Sequence, residues 1–222
     1  MVLCQPLAEE YILSHRSMRR LAELLSRAGI PTLRFDYFGC GDSPGELTEA
    51  RFDRWLLDVE AATGELLERS GCTRICIVGL RLGGNLALSR GLTDSRIESV
   101  VLWDPVVDMN RHLESVLEAT GGARPVDGFA MGGFEVAPAL VEELQRMDIL
   151  ARADTGQARV LLVETEATSS ASALASRLEA AGSTVERRSQ AGASVWQQDI
   201  NRVVVPLKLL QFIVAWVSHQ SA

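Results

Sequence analysis

Residues 75–84 read Ile-Cys-Ile-Val-Gly-Leu-Arg-Leu-Gly-Gly, an apolar run that ends in a glycine-flanked turn and continues as a helix. No other stretch constrains the fold as strongly. A buried strand that passes directly into a helix drives the residue at the bend, Arg81, into a strained backbone conformation. Side chains two positions before and after it would then collide, so Gly79 and Gly83 are required on steric grounds. A guanidinium stays protonated near neutral pH, so Arg81 can be neither a nucleophile nor a base there.

The rest of the chain alternates strand-like and helix-like segments, which argues for a mostly parallel, doubly wound α/β sheet covered on both faces. Strands are expected at Val2–Cys4, 31–35, 73–78, Ile97–Trp103, 160–164 and 184–188. Helices are expected at 8–29, 49–69, 82–90, 171–181 and 205–219, the last with Pro206 near its first turn. Residues 36–45 form a turn-rich loop. Between 106 and 150 the periodicity loosens into two helices, 110–118 and 138–150, around the glycine-rich stretch 121–133. An insertion of that length reads as a helical lid, since long irregular segments in compact domains are usually functional.

At 222 residues the chain is expected to form a single domain, residues 1–222. A net charge of −7 argues against a nucleic-acid partner. Arg16, Arg19 and Arg20 read as a solvated helix face. The four cysteines, Cys4, Cys40, Cys72 and Cys76, form no C-x-x-C, and His15, His112 and His219 are too scattered for a sequence-local zinc site. No metal or cofactor is therefore expected, and the thiols read as free in a reducing compartment. The start carries no signal-like segment, and the apolar stretch 207–217, interrupted by Lys208 and Gln211, is too short to span a membrane. The expected location is the cytoplasm.

The turn at residues 79–83 corresponds to the nucleophile elbow, G-x-S-x-G, with Arg81 where the serine belongs. Leu3-Cys4-Gln5-Pro6 stands where an oxyanion-hole segment would lie, and residues 33–43, Leu-Arg-Phe-Asp-Tyr-Phe-Gly-Cys-Gly-Asp-Ser, match a D-x-x-G-x-G-x-S loop. With Trp103-Asp104-Pro105-Val106, these segments resemble the α/β-hydrolase superfamily, and within it the serine-aminopeptidase-like hydrolases associated with exosortase A systems. The resemblance implies an α/β-hydrolase sheet whose N-terminal hairpin is missing, so that Val2–Cys4 is the third strand of the usual order. A sheet that begins there would leave its first strand as an exposed edge, open to a second copy or a partner subunit.

The resemblance does not carry over a Ser-His-acid triad. The acid would follow the strand at 160–164, where Glu164 or Glu166 could fill it. The base would follow the last strand, but residues 191–196 contain no histidine. Rearranged alternatives use Asp104, Glu164 or His15, the last with Tyr11 and Glu10, while Cys40 reads as a small packed residue rather than a nucleophile. The binding apparatus is more complete. Leu82 opens a helix whose N-terminal amide attracts anions, and Arg81 adds a second donor. Together with Gln5, Tyr11 and Asp104 they form a candidate site for a small anionic or acyl ligand beneath the lid. The competing expectation is that Arg81 seals the site by pairing with Glu10, Asp104 or Glu164. Three functions therefore stand open: a noncatalytic or atypical hydrolase homologue, an active enzyme with a rearranged site on an ester, amide or thioester, and a scaffold or partner subunit.

Overall fold

The continuous apolar runs become strands buried on both faces, and the amphipathic segments become the helices that cover them. The computed structural model describes residues 1–119, 129–131, 133–166, 168–192, 194–197 and 204–219. In chain order these are β1 (Val2–Cys4), α1 (Ala8–Arg27), β2 (Leu33–Arg34), a 3₁₀ turn (Leu47–Glu49), α2 (Phe52–Ser70), β3 (Ile75–Leu80), α3 (Leu82–Gly91) and β4 (Ile97–Trp103). Next come α4 (Met109–Ala119), a hairpin of β5 (Phe129–Met131) and β6 (Phe134–Val136), α5 (Pro138–Gln145) and α6 (Ile149–Arg152). The chain then returns through β7 (Arg159–Glu164), α7 (Ser169–Ala180), β8 (Thr184–Ser189) and α8 (Leu207–Ser218). The expected helix at 138–150 is broken because Asp148 caps a new one, its carboxylate accepting from the amides of Leu150 and Ala151. Of the glycine-rich stretch 121–133, residues 121–128 and 132 lie outside the described residues.

Six strands pair in the order β2-β1-β3-β4-β7-β8, and every pairing is parallel. Alternate residues serve opposite faces. Val2, Ile77, Val100, Leu102, Val160 and Leu162 pack with α2, α3 and α7, whereas Leu3, Val78, Leu80, Val101, Trp103, Leu161 and Val163 pack with α1 and α8. With both faces covered, alternation of polar and apolar residues disappears from these strands, which is why they read as unbroken apolar runs.

The topology corrects one expectation. The first strand is not an exposed edge: β1 is fully buried between β2 and β3, and the edge on that side is the two-residue strand β2. A partner therefore cannot extend the sheet through β1. The chain reaches β2 after β1 and then crosses back over β1 to reach β3. Crossovers thus diverge between β1 and β3, which creates a crevice at their carboxyl ends where ligands bind in open α/β sheets. The turn after β1 carries Gln5, and the turn after β3 carries Arg81.

Candidate functional site

Arg81 sits at the bend between β3 and α3 with φ 54° and ψ −124°. Its amide donates to Trp103 O at 3.0 Å and its carbonyl accepts from Gly84 N at 2.8 Å, so the turn is tied to β4 and into α3. The steric expectation for the flanking glycines holds. A Cβ on Gly79 would run into Gly83 O, and one on Gly83 into Cys4 O and Gln5 O at the end of β1. Ala8, Arg81 and Asp104 are the non-glycine residues with positive φ among the described residues, and all three surround this crevice. Strain gathered at one point persists only where the surrounding packing fixes it.

The Arg81 guanidinium is held from several directions. Nε donates to Glu10 Oε1 at 2.9 Å, in an ion pair whose side chains are only 13% and 15% exposed. Nη1 donates to the Asp104 carbonyl at 3.2 Å, and Nη2 lies 3.1 Å from His112 Nδ1. The carbon of the guanidinium stands 3.7 Å from the centre of the Trp196 ring, close enough for a cation–π contact. Since arginine only donates, His112 Nδ1 accepts and its proton lies on Nε2. Burial, reinforced by the Arg81 charge, pushes the His112 pKa down to about 3. Burial also raises the Glu10 pKa above the usual carboxylate value, while Arg81 pulls it back. Glu10 lies in the first turn of α1, where the helix dipole favours a carboxylate.

Asp104 does not form the anticipated ion pair. The guanidinium meets its backbone carbonyl, while its carboxylate accepts from Thr165 N and Oγ1, each at 2.8 Å, and from Trp196 Nε1 at 3.1 Å. Burial raises the Asp104 pKa, and these donors oppose the rise. Asp104 thereby holds Trp196 over Arg81. Glu164 lines the same cleft but is engaged by Arg187 Nη2 at 2.8 Å and Thr168 N at 3.1 Å, so it does not reach Arg81. Of the three anticipated partners, Glu10 alone pairs with Arg81 through its carboxylate.

The remaining candidates separate into another group. Gln5 Nε2 donates to Phe35 O at 2.9 Å and to Asp36 Oδ1 at 3.2 Å, and Tyr11 OH donates to Asp36 Oδ1 at 3.1 Å. His15 packs edge-on against Tyr11, with ring centres 5.9 Å apart, and its Nδ1 lies 3.4 Å from Arg34 Nη2. Burial and Arg34 lower the His15 pKa. The Tyr11–His15 contact follows the anticipated spacing, but Glu10 turns away from it toward Arg81. Cys40 lines this second region, and burial pushes its thiol up to about 12. The expected ligand set is thus divided, with Arg81, Leu82 and Asp104 on one side of the first turn of α1 and Gln5 and Tyr11 on the other.

Two residues at the elbow were not anticipated there. His112 stands on the first turns of α4, shortly after β4 reaches the carboxyl edge, and that position was its signal. Trp196 belongs to the segment after β8 where a base would be sought, so an aromatic ring in place of a histidine was the clue. A cleft of about 310 Å³ lies beneath α4, lined by Arg81, Arg111, His112, Thr165, Ser194 and Trp196 among others. A smaller one of about 140 Å³ opens over Glu10, Arg81, Leu82 and Trp196. Among the described residues no His, Cys, Asp and Glu group is arranged to hold a metal ion, and no helix is long and apolar enough to cross a membrane.

The model of a protein family described as serine aminopeptidase, S33, matches residues 11–152. A search of curated proteins finds no match. Among solved structures, an esterase from Pyrococcus furiosus is similar with a TM-score of 0.74 and 15% identity, covering 100% of this chain and 81% of that one. A monoacylglycerol lipase from Paleococcus ferrophilus gives 0.66 at 20% identity, covering 98% and 93%. Est1E from Butyrivibrio proteoclasticus, solved with ferulic acid bound, gives 0.69 at 16% identity, covering 99% and 86%. At these identities the likeness is one of fold, that of the α/β-hydrolases. The narrower exosortase A-associated group remains a resemblance of motifs.

Proposed function

As the chain belongs to the serine aminopeptidase S33 family, we propose that it is a noncatalytic member, whose elbow is closed by its own arginine and opens only to a small anionic or acyl ligand. The observation that carries this reading is Arg81 at the strained bend, paired with Glu10 at 2.9 Å and covered by Trp196. An elbow nucleophile works through a base within hydrogen-bond reach and an acid that orients that base. Here the bend carries a permanent cation, and the neighbouring His112 directs its lone pair at that cation rather than at a hydroxyl. His15, Asp104 and Glu164 are engaged by Arg34, by Thr165 with Trp196, and by Arg187, which weighs against an active site rearranged around them.

Glu10 occupies the place an external anion would take. Its carboxylate is the chain's own stand-in for a ligand carboxylate or phosphoryl group, and the adjoining clefts give such a ligand room to compete. Glu10→Gln should therefore uncover anion binding that the parent chain largely suppresses. Thermal stabilisation by acetate, octanoate or phosphate should be weak in the parent, stronger in Glu10→Gln, and reduced by salt. Neither the parent nor Arg81→Ser should be labelled by a fluorophosphonate or turn over a 4-nitrophenyl ester, since serine alone would have no base. Stoichiometric labelling of a serine in the parent would refute the noncatalytic reading. An unchanged anion response in Glu10→Gln would refute the ligand reading and leave a sealed relict.

A further inference from the structure

A cleft larger than those at the elbow lies near the carboxyl edge. A cavity of about 550 Å³ opens between the loops that follow β1 and β2, on the other side of the first turn of α1 from Arg81. That volume lies within the usual range for small-molecule sites. Its walls are mostly apolar and aromatic, including Leu7, Ile12, Phe35, Leu47 and Phe134. Ile12 and Phe134, 45% and 40% exposed, are two of the few large apolar side chains left open to water among the described residues, and both belong to this cavity. Apolar side chains held in water beside a preformed cavity mark a place where an apolar body gains by binding.

The charge of the lining is one-sided. Among the described lining residues the carboxylates are Asp36, Glu46 and Glu135, and none is Lys, Arg or His. Asp36 lies deepest in the hydrogen-bond network. It accepts from Tyr11 OH, Gln5 Nε2 and the amide of Asp42, at 3.1, 3.2 and 3.2 Å, yet no cationic side chain among the described residues comes within ion-pair distance of it. Arg34 directs Nη2 to Gln5 Oε1 and His15 Nδ1 instead, each at 3.4 Å. The contrast with Glu10, which has its arginine, is direct. Aromatic walls beside an unpaired carboxylate suit an ammonium group, through charge-assisted hydrogen bonds and cation–π contacts.

We propose that this cavity binds an amine-bearing apolar molecule, with its ammonium at Asp36 and its apolar body against Ile12, Phe35, Leu47 and Phe134. The site is independent of the elbow and does not require the noncatalytic reading. Its test is a matched set of probes, n-octylamine, n-octanol and n-octanoate, titrated below their aggregation limits by calorimetry. Octylamine should bind at least about tenfold more tightly than octanol, with octanoate weakest. Asp36→Asn should erase the amine's advantage while sparing octanol. Because Asp36 also braces its loop, Ile12→Lys provides a second test at an exposed position. An ammonium placed at the mouth should abolish the preference for octylamine and raise that for octanoate, while Glu10→Gln should leave the ranking unchanged. Equal affinities for the three probes, no saturable binding, or a preference untouched by both substitutions would overturn the proposal.

Discussion

Two clefts flank the first turn of α1, and they treat a half-buried charge in opposite ways. On the elbow side, Arg81 is matched by Glu10, by a carbonyl, by a neutral histidine and by an aromatic face. On the other side, Asp36 is held by neutral donors, with no cationic side chain among the described residues within ion-pair distance. The first arrangement is largely closed, because three N–H donors of Arg81 and one face of its guanidinium are already engaged. The second is open, with more volume and an exposed apolar rim. Where a fold makes a crevice is set by topology, but whether that crevice admits a ligand depends on which charges its own residues have already paired.

The largest test of this contrast removes Arg81. In Arg81→Ala the Glu10 carboxylate, only 15% exposed, loses its cation, and breaking such a pair should cost on the order of 3 kcal/mol in denaturant unfolding. Asp36→Asn removes no ion pair and should cost about 1 kcal/mol, the scale of an ordinary hydrogen bond. Equal losses would erase the distinction between the two sides.

The Arg81→Ala deficit should also depend on pH. The folded-state pKa of Glu10 is raised, so the folded protein holds this proton more tightly than the unfolded chain, and its contribution to stability declines as pH rises through that window. Removing Arg81 widens the window. The deficit should be greatest at neutral pH and fade in acid, once Glu10 is protonated in both proteins. A deficit independent of pH would mean that Arg81 acts through packing alone.

His112 should show the opposite slope. Its folded pKa is depressed from 6.5 to about 3, so the stability it contributes is present above about 6.5 and lost as pH falls toward about 3. Melting temperatures across that interval should fall less steeply in His112→Gln than in the parent. A parallel decline would show that the imidazole is not held neutral against Arg81.

The smallest expected effect concerns the backbone. At φ 54° a glycine is less strained than an alanine, so Arg81→Gly should be more stable than Arg81→Ala by about 1 kcal/mol. If the order is reversed, the bend is not under strain.

Much of the fold was legible because steric and periodic rules are local. Gly79 and Gly83 announced the bend, and Ile97–Trp103 announced a strand buried on both faces. Sheet order was less accessible. The apolar run at Val2–Cys4 suits an edge or an interior strand equally, and only the crossover over β1 decides between them. The candidate site was legible in its centre and not in its surroundings. Arg81 and Glu10 could be named, yet Trp196 reaches the guanidinium from far along the chain, held there by Asp104. Sequence alone groups Gln5 and Tyr11 with Arg81, since the end of β1, the start of α1 and the bend after β3 meet at one edge of the sheet. Hydrogen bonds to Asp36 turn both side chains to the other side of α1, and no local pattern encodes that choice.

The central claim is that Arg81 closes the elbow through its pairing with Glu10. A double-mutant cycle of Arg81→Ala and Glu10→Gln, followed by denaturant unfolding at neutral pH, tests it most directly. The account predicts a coupling of about 1–3 kcal/mol, with the double mutant more stable than the sum of the single losses would allow, since removing both partners strands neither charge. A coupling near zero would contradict it, leaving Arg81 and Glu10 as neighbours whose charges do not hold the site shut.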